Sequence, residues 1–175
     1  EYGLELFKQF ALKHSAYKLD FSENYKDLEA ANLEKYDALV LMNTTRLNTK
    51  TNFALAYDLI NFVRNGKGLT VIHAGADNFF EAEAAAEMVG GRFWGHPWGA
   101  GGTWAFKVEE PGHPVNRGFA KPLFKWSDEI YQQESPFYNR AKLRVLVSLD
   151  MTDEATKNAK DQKRADGDYA ISWIR

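Results

Sequence analysis

The chain of 175 residues is long enough to bury one sizeable core and short for two ordinary domains. Its composition, 45% hydrophobic and 26% charged, is typical of a globular protein, and its net charge is only -2. With both signs interspersed there is no basic surface for nucleic acid or membranes, and no apolar run is long enough to span a bilayer.

Two features of the composition point to the kind of partner. The chain has no cysteine, which excludes disulfides, cysteine-based zinc sites and a thiol nucleophile. It has five Trp, eight Tyr and twelve Phe, more than a small core needs, and flat aromatic faces suit sugar rings. We therefore expect a small-molecule carbohydrate as the partner, and neither nucleic acid nor membrane.

The first part of the chain predicts two helical and two extended segments. Apolar residues at helical spacing predict a helix over 4–11, and alternation over 17–21 predicts a strand. Residues 25–36 predict a short helix or turn. The apolar run 37–43 predicts a central parallel strand that is buried on both faces.

A βαβ pattern follows. A helix is predicted over 51–63 with Thr51 or Asn52 at its N-cap, then a strand over 69–75 and an alanine-rich helix over 76–89. Strands that alternate with helices in this way predict a parallel sheet.

After a glycine-rich loop, the second half is richer in β structure. A charged stretch without periodicity, residues 152–168, is predicted to be an exposed loop. The strand-like segments are 103–110, 124–133, 143–150 and 169–175. With no internal repeat or linker, we predict a single α/β domain over 1–175 with a doubly wound, mostly parallel sheet. Such a sheet normally opens with a strand, so we expect the first strand and the C-terminal end of the domain to lie outside this chain.

The first candidate site is the turn after the strand 69–75, because ligands of open parallel sheets bind at the carboxyl ends of strands. His73 leaves the strand there, Gly75 permits a sharp turn, and the predicted helix begins near Asp77. Such an elbow raises one side chain above the sheet and points helix amides at a ligand. His73 is thus a catalytic candidate, whereas Asp77 is either a ligand contact or only the helix cap.

The second candidate is the loop around His96. It combines this imidazole with Trp94 and Trp98 in a segment too rich in glycine to pack regularly. Loops that carry imidazole and aromatic groups together often bind ligands. His96 is either functional or simply solvated, and the indoles are core, rim or sugar platform.

The third candidate is the segment 124–133. If it is a regular strand, Glu129 and Tyr131 share one face and Asp128 lies on the other. The two adjacent carboxylates then point apart and cannot flank one glycosidic bond as acid and nucleophile. Glu129 is instead predicted as a metal ligand or acid/base group with Tyr131 orienting it; the alternative is a solvated strand face.

These candidates have the composition of a mononuclear metal site. Imidazole and carboxylate suit zinc, manganese or iron, and His73, His96 and Glu129 are the predicted ligands. Neither a GxGxxG nor a GxxxxGK[ST] motif is present, so no nucleotide cofactor is expected. The absence of GxSxG likewise gives no support to a serine hydrolase.

The chain resembles the trehalose-utilisation (ThuA-like) family. The motifs that carry this resemblance are HAGAD at 73–77, GGRFWGHPWG at 90–99, HPVNRG at 113–118 and SDEIYQ at 127–132, in this order and spacing. The resemblance is strongest over about residues 36–150. It implies a flavodoxin-like sheet of the class I glutamine amidotransferase type and a role in using trehalose, related disaccharides or their oxidised derivatives.

The resemblance also implies what the reaction is not. His73 stands where class I glutamine amidotransferases carry their nucleophilic cysteine, and an imidazole cannot form their thioester. A glutaminase mechanism is therefore excluded. Members of the family often begin with a strand before this chain starts and continue past its end. A bacterial source with a cytoplasmic or periplasmic location is expected.

Two functions remain as hypotheses. The first is a metal-assisted enzyme acting on a disaccharide or oxidised sugar derivative, a hydrolase, lyase or isomerase, in which His73, His96 and Glu129 are catalytic. The second is a non-catalytic carbohydrate-binding or assembly module, and a homo-oligomer is left open. Convergence of the three catalytic candidates on one point would favour the enzyme. The residues predicted to bind the sugar are Asp77, Phe79, Trp98 and Tyr131.

Overall fold

The computed structural model describes residues 2–45, 47 and 53–175. Its helices are α1 (Tyr2–Lys13), α2 (Ala30–Leu33), α3 (Phe53–Arg64), α4 (Glu83–Val89) and α5 (Glu154–Lys157). Its strands are β1 (Ala38–Met42), β2 (Gly68–Ile72), β3 (Trp104–Val108), β4 (Leu123–Trp126), β5 (Arg144–Leu149) and β6 (Ala170–Ile174). In the described ranges, every helix is too short or too polar to cross a membrane.

The N-terminal half contains the predicted βαβ unit. β1 and β2 pair in parallel, with Ala38 opposite Gly68 and Met42 opposite Ile72, and α3 connects them. Leu59 of α3 is fully buried in a core shared with Leu41 of β1. The helices predicted over 4–11 and 51–63 are confirmed, whereas the proposed N-caps of the second lie outside the described residues.

The C-terminal half is a four-stranded antiparallel sheet in the order β4-β3-β5-β6. A second core lies on it and includes Phe106 of β3 with Leu146 and Val147 of β5. The fold is therefore α/β, and the residues that the structure describes form one parallel and one antiparallel sheet. The β-rich second half is confirmed.

The doubly wound, flavodoxin-like sheet is not confirmed. In the part of the chain that the structure describes, the parallel sheet has two strands and the other four strands pair antiparallel. Antiparallel neighbours need no helical crossover, and the loop between β3 and β4 contains only a 3₁₀ turn, Pro114–Gly118. β1 is also less buried than predicted, since Val40 is 44% exposed.

Three local predictions are wrong. Residues 17–21 form no strand, because alternation alone does not supply a pairing partner. The strand predicted over 124–133 ends at Trp126. The helix predicted over 76–89 begins only at Glu83, with Ala82 as its N-cap, so Asp77 does not cap it.

Asp168 fixes the start of β6 to the segment before β5. Its carboxylate accepts hydrogen bonds from Arg140 Nη2 at 2.7 Å and from the Tyr138 hydroxyl at 2.8 Å. Burial raises the pKa of Asp168, but the hydrogen bonds from Arg140 and Tyr138 outweigh it, so the net pKa is lowered. The folded protein therefore favours the charged carboxylate.

We expect Asp168→Asn to lower the free energy of unfolding at pH 7 by about 2 kcal/mol, as for hydrogen bonds to charged groups. A carboxylate with a depressed folded-state pKa stabilises the fold above its unfolded pKa of about 3.9, and this stabilisation is lost as pH falls through the folded pKa. Urea unfolding should thus show the two proteins converging below about pH 4. Asp37→Asn, at an exposed carboxylate, is the control. A difference that is the same at pH 7 and pH 3 would contradict this account.

Candidate functional site

Both parallel strands end in a strained residue. Asn43 follows β1 with a φ of 53°, and His73 follows β2 with a φ of 50°. A positive φ is uncommon for residues other than glycine, and such strain often occurs at functional sites. His73 begins a 3₁₀ turn, His73–Ala76, so the chain leaves the sheet abruptly and the imidazole is 38% exposed.

Gly75 allows this turn to lie directly on the sheet. A Cβ atom at this position would be 2.7 Å from the carbonyl oxygen of Leu41 and 2.9 Å from Cγ1 of Val71. The glycine expected here is therefore required for close packing against β1 and β2.

We expect Gly75→Ala to lower the free energy of unfolding by about 1–3 kcal/mol, because the new methyl group meets a backbone oxygen that cannot move alone. The turn would shift and carry His73 with it. Chemical denaturation measures the first effect, and the chemical shifts of the His73 ring measure the second. Gly112→Ala is the matched control, since a Cβ there meets nothing within 4 Å. Equal behaviour of the two variants would argue against a packing role for Gly75.

Asn78 connects the loops that follow β1 and β2. Its fully buried amide donates to the carbonyl oxygens of Thr44, at 2.5 Å, and Gly75, at 3.0 Å, and accepts from the Leu47 amide at 2.9 Å. Sequence reasoning did not single out this residue. The available signal was a polar amide between a strand end and two phenylalanines, which is also typical of an ordinary turn.

The loop that carries His96 is held by backbone pairing. It runs antiparallel to residues 130–134. The backbone amide of Trp94 donates to the carbonyl of Gln132 at 2.9 Å, and the amide of Gln132 donates to the carbonyl of Gly95 at 2.9 Å. Further along, the amide of Ile130 donates to the carbonyl of Trp98 at 2.7 Å. The amide of Phe93 also donates to the carbonyl of Ala76, at 3.3 Å. The His96 loop, the Glu129 segment and the His73 turn are therefore tied together.

A buried glutamine adds a fourth segment. The side chain of Gln132 is almost fully buried, accepts from the amide of Lys163 at 2.9 Å and donates to the carbonyl of Asp161 at 3.0 Å. Lys163 Nζ in turn donates to the carbonyl of Trp94 at 2.8 Å and lies 5.2 Å from the centre of its ring. Part of the charged stretch predicted as a loop thus borders the His96 loop.

These segments bring three of the predicted residues together. Nε2 of His73 lies 3.5 Å from Oε2 of Glu129, and Nδ1 of His96 lies 3.8 Å from Oε1 of the same carboxylate. Each oxygen of Glu129 therefore faces a different imidazole. The side chains of His96 and Glu129 are 55% and 33% exposed, so a small molecule can reach the cluster from solvent.

Tyr131 closes one side of this cluster. Its ring centre is 4.5 Å from that of His73 and 6.3 Å from that of His96. Burial raises the pKa of Tyr131, and the charges of Glu129 and Asp77 raise it further. The phenol therefore stays protonated near neutral pH and can donate a hydrogen bond, and Asp77 lies near enough to act on it.

Phe93 belongs to the same wall, although sequence reasoning did not select it. Its ring centre is 4.4 Å from Tyr131 and 5.9 Å from His96. Its position at the start of the His96 loop was the only sequence signal. We include Phe93 in what we call the His–Glu cluster: His73, Phe93, His96, Glu129 and Tyr131.

The two other predicted sugar platforms lie elsewhere. Phe79 and Trp98 are both fully buried, Phe79 in the N-terminal core and Trp98 in the C-terminal one. The indole N–H of Trp98 donates to the carbonyl of Thr156 at 2.8 Å, and its ring packs edge-on against Tyr169. Neither ring offers a face to a ligand, so the predicted sugar contacts of Phe79 and Trp98 are corrected to core packing.

The donor types of the cluster suit the metal ions expected from the sequence. Two imidazoles and a carboxylate bind zinc, manganese or iron, and tetrahedral ligands of one zinc ion lie about 3.4 Å apart. The two separations from Glu129 are close to that value. Within the described ranges, however, no group of three or more such side chains has its atoms gathered for an ion.

The family assignment rests on the whole chain. The family model described as ThuA, trehalose utilisation, matches residues 1–175. This chain belongs to the ThuA family. No curated protein matches it.

A solved structure shares the fold of this ThuA chain. It is the crystal structure of a ThuA-like protein from Bacteroides uniformis, with a TM-score of 0.77 and 22% sequence identity. The match covers 98% of this chain and 68% of the other. The family resemblance noted in the sequence is thereby confirmed, and ThuA membership associates the protein with carbohydrate metabolism.

Proposed function

We propose that this ThuA protein is an enzyme that acts on a disaccharide or an oxidised sugar derivative at the His–Glu cluster. The observation that carries the proposal is the Glu129 carboxylate with one oxygen facing His73 and the other facing His96. A carboxylate that orients imidazoles is a common arrangement for general acid–base catalysis. Because the chain has no cysteine, the proposed reaction does not pass through the thioester that glutaminases form.

The geometry suggests a role for each side chain. If His96 directs its Nδ1 to Glu129, its Nε2 is free to take a proton from a sugar hydroxyl or from water. His73 directs Nε2 to the same carboxylate, which would stabilise positive charge on either ring. The separations of 3.5 and 3.8 Å are longer than hydrogen bonds, as is frequent before substrate binds.

The wall of the cluster would hold the sugar. The protonated hydroxyl of Tyr131 can donate to a carbonyl or hydroxyl oxygen, and the ring of Phe93 gives the adjacent apolar surface. Asp77, whose charge reaches Tyr131, can accept hydrogen bonds from sugar hydroxyls. If a divalent metal is bound, His73, His96 and Glu129 would hold it, and it would supply Lewis-acid polarisation of a substrate oxygen.

The test measures metal content and turnover together. Chelator-free wild-type protein and a His73→Ala, His96→Ala double variant are analysed by inductively coupled plasma mass spectrometry and assayed against disaccharides and their oxidised derivatives. Loss of turnover in the folded double variant would support the cluster as the active site. Near-stoichiometric metal that is lost with it would support the metal-assisted form. Turnover that survives the double substitution would refute the proposal.

A non-catalytic carbohydrate-binding module is the second candidate. It is favoured by the exposure of both imidazoles, because catalytic sites normally exclude water from the reacting groups. The two functions differ in one variant: His73→Ala should abolish turnover in the enzyme, whereas a binding module shows no turnover and keeps nearly the same sugar affinity.

A further inference from the structure

The antiparallel sheet carries a second concave surface, and no member of the His–Glu cluster lines it. It is a groove of about 700 Å³, which we call the sheet groove. Its apolar lining includes Phe106, Phe119, Phe124, Trp126, Val147 and Ile171. Asp128 and Ile130 line it as well, whereas Glu129, between them, points to the imidazoles. The sheet groove is therefore distinct from the site of the proposed function.

Large apolar side chains stand exposed at this groove. Trp126 is 64% exposed and Phe119 is 42% exposed. The rings of Phe119, Phe124 and Phe106 form a stack with centre separations of 4.9 and 5.0 Å. Contiguous apolar surface of this kind marks interaction sites, and exposed Trp is enriched among the residues that dominate binding energy.

The charges at the groove are self-complementary. Lys121 and Asp128 both line it, just before and just after the strand β4. Among the described residues neither has an ion-pair partner, and Asp128 Oδ1 accepts a hydrogen bond from the amide of Glu129 at 2.8 Å. In a two-fold contact the same patch meets itself. When the two-fold axis runs across β4 and not along it, each end of β4 meets the opposite end of the partner's β4. Lys121 would then lie against the partner's Asp128, and the partner's Lys121 against Asp128.

We propose that the sheet groove is the interface of a two-fold homodimer, in which Trp126 of each copy enters the groove of the other. An exposed indole and an apolar groove on the same face suit such a contact. The opposite charges at the two ends of β4 fix the orientation of the two copies.

Sedimentation velocity over 1–100 μM tests this with the whole chain. We expect a species of twice the 19.9 kDa chain mass that dissociates on dilution. Trp126→Ala should weaken association at least 100-fold. Lys121→Asp and Asp128→Lys should each weaken it at least 10-fold, and the double variant Lys121→Asp, Asp128→Lys should return to within about 3-fold of wild type.

The controls make each result decisive. Leu12→Ala removes an exposed side chain on α1 and should leave association unchanged, and thermal melting shows whether each variant is folded. A monomer at all concentrations, a dimer unaffected by Trp126→Ala, or a charge-swapped double variant that stays monomeric would overturn the proposal. A monomer that binds an aromatic probe such as anilinonaphthalene sulfonate, with the binding lost in Trp126→Ala, would overturn it in favour of a small ligand.

Discussion

Replacing Glu129 with glutamine is expected to lower turnover of the sugar substrate by about 10²–10⁴-fold, the range for loss of an acid–base group. The amide has nearly the shape of the carboxylate but carries no charge, so it cannot stabilise a protonated His73 or His96. The side chain is one-third exposed and belongs to none of the three hydrophobic core clusters, so the free energy of unfolding should change by less than about 0.5 kcal/mol. Steady-state kinetics and thermal melting on the same preparations measure the two effects.

Glu87→Gln is the matched control for this substitution. Glu87 is 54% exposed on α4 and pairs with Lys142 at 3.3 Å, so the same chemical change there should leave kcat and KM unaltered. The separate changes in kcat and in KM distinguish an acid–base role of Glu129 from a sugar-binding role. A fall in kcat with a steady KM indicates acid–base work, whereas a rise in KM alone indicates sugar binding. A Glu129→Gln enzyme as active as the Glu87→Gln enzyme would remove the carboxylate from the mechanism.

The parts of the fold that the sequence predicts are those set by local patterns. Helical spacing located α1 and α3, and the apolar runs located β1 and β2 with their parallel pairing. The direction and partners of β3 to β6 depend on contacts between distant segments, such as Phe106 opposite Leu149, which no local period records. The sequence therefore predicts a mostly parallel sheet, whereas the strands of the second half pair antiparallel.

The candidate site shows the same division. Local features of the sequence predict each of the three catalytic candidates. His73 follows a strand end, His96 lies in a glycine-rich loop, and Glu129 occupies one face of an extended segment. Their meeting depends on backbone pairing between the His96 loop and residues 130–134. Asn78 was missed for the same reason, since its hydrogen bonds reach 31 and 34 residues back along the chain.

Phe79 and Trp98, predicted to contact sugar but buried in the cores, show that composition does not decide where an aromatic ring lies. An excess of rings suggested sugar platforms, yet a ring in a loop can face solvent or the core equally well. Trp98 faces the core because its indole N–H finds the Thr156 carbonyl and Tyr169 covers its edge. Phe93, which received no role, is only partly buried and lies against the imidazole of His96.

Trp98→Ala is consequently expected to act on stability and not on sugar affinity. Removing a fully buried indole should lower the free energy of unfolding by about 3–5 kcal/mol, and the melting temperature by roughly 10 °C for a chain of this size. Trp98 also accepts the backbone hydrogen bond from the Ile130 amide, which holds the loop that carries His96. The loss of the indole should therefore loosen this loop as well. Urea unfolding and hydrogen exchange at the amide of Ile130 measure these effects.

Trp98→Phe separates packing from hydrogen bonding at the same position. It keeps a ring against Tyr169 and loses the bond to Thr156, which leaves a buried carbonyl without its donor and should cost about 1–3 kcal/mol. The order of stability should therefore be wild type, Trp98→Phe, Trp98→Ala, with sugar affinity at low temperature nearly the same in all three. If Trp98→Ala instead stays as stable as wild type and loses affinity, the indole lies at the ligand and the core assignment fails.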